Sequence, residues 1–119
     1  MSKIAIGMLL AIAMVISNSA IAKTLTCRIA SKFSCDADAG CKPLSPALWN
    51  VIDLENQTYS RCDTRGCDKY DARLHRSGEF IVIDVPGRGV VAKLANNLSS
   101  FVEVATIGTS ALNSFGSCE

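Results

Sequence analysis

From Thr24 onward, apolar and polar residues trade places in runs of four to seven, and clusters of turn-forming residues separate the runs. Residues 24–30 predict a first strand. Residues 49–54 predict a second, 55–57 its turn and 58–62 the return. In residues 69–74, Tyr70, Ala72 and Leu74 share one face while Lys69, Asp71 and Arg73 share the other, the cleanest period-two alternation in the chain. Phe80–Val85 is apolar enough to be covered on both faces. Residues 90–94, residues 101–107 and a last stretch ending at Cys118 complete the series. Turn signals fall at 63–66, 75–78, 86–89, 95–100 and 108–110. Ser45 ahead of Pro46 predicts one short helical turn reaching Trp49. Beyond residue 22, no twelve-residue window keeps a helical apolar period. The expected fold is therefore all-β: a small antiparallel β-barrel of about eight strands, or a sandwich, with closure removing exposed strand edges.

The chain's beginning follows a different rule. Lys3 precedes an apolar run over residues 4–16, and small residues then frame Ala20-Ile21-Ala22. This is the layout of a secretory signal peptide over residues 1–22, followed by one β-barrel domain over 23–119. The apolar run is short for a membrane span, and Thr26 stands before Cys27 where a lipid-attachment signal wants a very small residue. Export to the periplasm, or secretion, is the expected fate. Removing 22 of the 119 residues leaves 97, enough for one small domain with a thin core. Of 12 basic residues only Lys3 is lost, so 11 basic side chains face 11 acidic ones. That balance nominates neither nucleic acid nor an anionic membrane as partner.

All six cysteines lie in the exported part, and an even count in a small exported chain reads as disulfides. Cys35 and Cys41 bracket one turn-like stretch, and Cys62 and Cys67 bracket another. Cys27 and Cys118 remain to fasten the two ends, closing a loop worth about 4 kcal/mol by the chain-entropy argument. A zinc site is disfavoured: there is no CxxC pair, and His75 is the sole histidine.

Catalytic chemistry finds little to work with, and the expectation is a protein that is not an enzyme and uses no cofactor. His75 sits beside Arg76 in an expected turn, where positive charge opposes its acting as a base. The Gly-x-Ser-x-Gly nucleophile pattern is absent. Asp63, Asp68 and Asp71 each have basic neighbours, so cross-strand pairing accounts for them. Asp36-x-Asp38-x-Gly40 is like the start of a calcium loop, but Ala47 stands where the bidentate Glu belongs. Asn56 and Asn97 open glycosylation sequons, relevant only in a eukaryotic host. Trp49, Phe80 and Phe101 are core candidates. Arg76 and Arg88 are expected at the tips of turns, displayed to a partner.

A resemblance adds a target. The leader, the 97-residue exported length, the terminal Cys27 and Cys118, and the many short strands resemble the periplasmic and membrane-bound inhibitors of C-type lysozyme. Tyr59-Ser-Arg-Cys62, His75-Arg-Ser-Gly78 and Val91-Ala-Lys-Leu94 are similar to segments of divergent alphaproteobacterial members. The resemblance implies an eight-stranded antiparallel barrel that inhibits C-type lysozyme or a related peptidoglycan hydrolase. It also implies that a serine beside a glycine and a basic residue from a second segment enter the catalytic cleft. Ser77 with Gly78, and Lys93, best match those positions. Tyr70 lies well upstream of Ser77, and Ala95 follows Leu94 where a Lys-Gly pair would stand, so the family patterns are not intact. The alternative expectation is an envelope protein that binds another protein or a glycan without inhibiting a hydrolase. In neither reading does the processed protein keep a membrane anchor or bind nucleic acid.

Overall fold

The architecture is that of a computed structural model, which describes residues 24–45 and 48–119. The expected signal peptide over residues 1–22 lies outside the described residues. Among the described residues ten strands follow one another: β1 (Thr24–Asp36), β2 (Gly40–Leu44), β3 (Trp49–Asp53), β4 (Thr58–Asp63), β5 (Gly66–Asp71), β6 (Arg73–Ser77), β7 (Phe80–Val85), β8 (Val90–Ala95), β9 (Phe101–Ile107) and β10 (Ser110–Cys118). All pairings are antiparallel, in the order β5-β4-β3-β1-β10-β9-β8-β7-β6, with β2 joined to β1 alone. Strands β5 and β6 are separated by Ala72, whose N–H turns to the Gln57 carbonyl at 2.9 Å. One bent strand thus pairs with β4 through its first half and with β7 through its second. Counted that way, eight staves surround the core, and β2 is an added flap.

Barrel closure falls between the first and last strands. Cys27 lies opposite Cys118 in register and is bonded to it, 91 residues away in sequence. Cys35–Cys41 ties β1 to β2, and Cys62–Cys67 ties β4 to β5. All three pairings expected from spacing are therefore present. Phe80–Val85 and Phe101–Ile107 are strands over the expected residues, and Tyr70, Ala72 and Leu74 share the face turned toward the core.

Other expectations need correction. The first strand runs on to Asp36 because a bulge between Ile29 and Ser31 resets its alternation. Leu25, Cys27 and Ile29 are buried before it, and Lys32 after it. The bulge brings the Arg28 carbonyl against Gly116, where any Cβ would lie 1.8 Å from that oxygen. The short helical turn falls mostly on residues 46–47, outside the described residues, and Trp49 already belongs to β3. His75, Arg76 and Ser77 are strand residues, with the turn confined to Gly78 and Glu79. Phe101 is buried, but Phe80 is 45% exposed. In β7 the inward positions are Ile81, Ile83 and Val85, which leaves Phe80 on the outside.

A barrel of eight staves encloses just enough space for side chains to fill. Ile52, Tyr59, Ile83 and Leu94 plug its middle with essentially no exposure. At one end stand the turns after β3, β6 and β8 and the start of β1; the turns after β4, β7 and β9 stand at the other. We call these the β6–β7 end and the β7–β8 end.

Candidate functional site

Three of the four expected partner-binding residues gather toward the β6–β7 end. Gly78, at φ +60°, takes the left-handed turn that reverses β6 into β7. Register places Ser77, Phe80 and Ala95 in one outward row, and His75, Val82 and Lys93 in the next. Ser77 and Lys93 therefore share an outer face two strands apart, about 10 Å by strand spacing. Both are exposed, with Phe80 standing between them. Arg76 has the opposite parity and sits at the barrel's lip, donating from Nη1 to Asn96 Oδ1 at 3.3 Å. Asn96 is held in turn, since its N–H donates to the Glu79 carbonyl at 3.0 Å. The β6–β7 and β8–β9 turns thus form one braced platform.

Arg88 is elsewhere. Its turn joins β7 to β8 at the other end, and its guanidinium lies 5.1 Å from the centroid of the Tyr70 ring. That stacking gives it a structural occupation. Lys93 and Arg88 cannot enter one small cleft together.

Inside the barrel lies a charged cluster that the strand pattern did not predict. Glu103 is 1% exposed and accepts hydrogen bonds from the Tyr59 hydroxyl and from Arg61 Nη2, the latter at 3.0 Å. Strands β4 and β9 are four places apart around eight staves, so these bonds cross the lumen and tie opposite walls. Lys32, also buried, lies close enough to feel both Arg61 and Glu103. Burial lowers its pKa, the Arg61 charge lowers it further, and Glu103 opposes them. Burial raises the Tyr59 phenol far above its ordinary value, reinforced by the Glu103 charge and by the hydrogen bond Tyr59 donates. The signal was present: Phe101, Glu103 and Ala105 alternate with Val102 and Val104. With apolar residues on both faces, that alternation did not say which face was inside.

Arg61 lies opposite Asp68 in register, yet its guanidinium reaches Glu103. Asp36 Oδ1 accepts the N–H groups of Asp38 and Ala39 at 2.9 and 2.6 Å, so the calcium-like stretch forms a self-bonded turn. Among the described residues, no group of three His, Cys, Asp or Glu side chains is placed to hold a metal ion, and no helix is long and apolar enough to cross a membrane.

A second surface feature is aromatic. Phe33 and Phe115 pack edge to face with centroids 6.4 Å apart, and Phe115 remains 44% exposed. Val102, beside Phe115, and Val104 and Val91 in the next row extend this apolar face toward Lys93. No family model, curated protein or solved structure matches this chain.

Proposed function

We propose that the protein is an exported inhibitor of C-type lysozyme or a related peptidoglycan hydrolase, acting in the periplasm or outside the cell. The carrying observation is the shared outward face of Ser77 and Lys93, braced by the Arg76–Asn96 contact. A glycosidase cleft presents two carboxylates about 5–10 Å apart. A hydroxyl donor and a cation on a rigid sheet complement such a pair through charge-assisted hydrogen bonds. The long Lys93 side chain closes the remaining gap to Ser77. Nothing in this action needs a bond made or broken by the barrel itself. Asp63 and Asp68 lie toward the β7–β8 end, so any attraction they exert on a basic hydrolase acts at long range.

The test is a cell-wall lysis assay with the purified, oxidised protein against C-type lysozyme. Inhibition is expected, weakened at least tenfold in Ser77→Ala with Lys93→Ala and unchanged in Arg88→Ala. Full lysozyme activity at a large molar excess of the protein overturns the proposal.

The exposed Phe33–Phe115 face favours a second reading, an envelope protein that recognises another protein or a glycan through aromatic stacking. Binding to cell-wall material that is lost in Phe115→Ala, without effect on lysozyme, would select it.

A further inference from the structure

The barrel is plugged in its middle but hollow at the β6–β7 end. Leu25, Leu54, Leu74, Ile81 and Leu98 line a cavity of about 560 Å³ that opens to solvent. Its floor is the buried layer of Ile52, Ile83 and Leu94, the register partners of Leu25, Leu74 and Ile81. The hollow is therefore a blind pocket, of a size usual for small ligands.

Two observations say what it fits. The first is charge. Glu119, on the rim, is drawn outward to Arg28, with Oε1 3.5 Å from Nε. Arg76, also on the rim, makes no ion pair among the described residues, and Asn96 occupies only one of its five N–H donors. The rim thus keeps an uncommitted cation above an apolar wall.

The second is backbone strain. Leu98 holds φ +64°, a conformation that suits Gly or Asn and disfavours leucine. It is fixed from both sides: its N–H donates to the Ala95 carbonyl at 2.8 Å, and its carbonyl accepts the Cys118 N–H at 2.9 Å. The strain holds an aliphatic side chain at the pocket's mouth, as at sites where strain serves a ligand clamp.

We propose that this pocket binds a medium-chain fatty acid as its carboxylate. The tail lies against Leu54, Leu74, Ile81 and Leu98, and the head sits on Arg76. The pocket shares Arg76 with the brace behind Ser77 and Lys93, but the proposal does not rest on the inhibitor reading.

Delipidated, oxidised protein is titrated calorimetrically with decanoate and with decanol. Saturable one-to-one binding of decanoate is expected, at least tenfold tighter than decanol. Arg76→Ala should weaken decanoate about tenfold and leave decanol unchanged, whereas Leu54→Trp, which fills the pocket, should abolish both. Leu98→Asn, which removes an aliphatic wall, should weaken decanoate and decanol alike. Absence of saturable decanoate binding overturns the proposal. So does binding that survives Leu54→Trp, or a decanoate affinity indifferent to Arg76→Ala.

Discussion

Glu103 shows what one buried charge does to a barrel this small. Its carboxylate is the shared acceptor for Tyr59 and Arg61, and its charge favours the protonated form of Lys32. Removing it leaves two cations in the interior without compensation. Glu103→Ala should therefore cost about 3–5 kcal/mol, read as a fall in the urea midpoint. Tyr59→Phe, which leaves the Arg61–Glu103 pair in place, should cost about 1–3 kcal/mol. The same cluster fixes the alkaline behaviour. The Tyr59 phenol is held protonated in the folded state, so its contribution is complete below its ordinary value of 10.0 and drains away as pH rises above it. Lys32 has the opposite sign: its pKa is lowered on folding, so the cost of burying it is relieved as pH climbs toward 10.5. Above that point the tyrosine dominates. Stability measured from about pH 8 to about pH 11.5 should fall at the alkaline end, and Tyr59→Phe should flatten that fall.

Among the elements, the bulged β1 and its partner β10 decide how the barrel closes. Gly116 is required there by space, because the Arg28 carbonyl occupies the position a Cβ would take. Gly116→Ala should destabilise by about 1–3 kcal/mol and speed hydrogen exchange along the β1–β10 seam first. Residues 69–74 were legible because their alternation is unbroken, and Phe80–Val85 because a short apolar run stands between two turn signals. The bulge was not, since one extra residue in β1 switches the inward parity from Ile29 to Lys32 without a glycine to mark it. Strand β2 was hidden by Pro43, tolerated because β2 pairs on one side only. His75, Arg76 and Ser77 look like a turn by composition, yet pairing with β7 extends them. That pairing is tertiary and leaves no local trace. Ser77 and Lys93 were nameable from a family resemblance, whereas the apolar pocket beside them needs five strands and loops to be brought together.

At the scale of the molecule, three disulfides reinforce the barrel by constraining the unfolded chain. Their contributions should differ with the loop each closes. Loss of Cys27–Cys118 in a double alanine variant should cost about 4–5 kcal/mol, and loss of Cys62–Cys67 about 2 kcal/mol, read from equilibrium unfolding. The rigid frame so produced has two unlike ends: one carries Ser77, Arg76 and the apolar pocket, while the other carries Arg88 on Tyr70. The proposed recognition uses the first end, and hydrogen exchange of the oxidised protein with and without saturating C-type lysozyme tests it. Slowed exchange is expected across residues 75–80 and 93–100, with residues 63–66 and 86–89 unchanged. Protection centred on residues 86–89, or none anywhere under conditions of saturation, would contradict it.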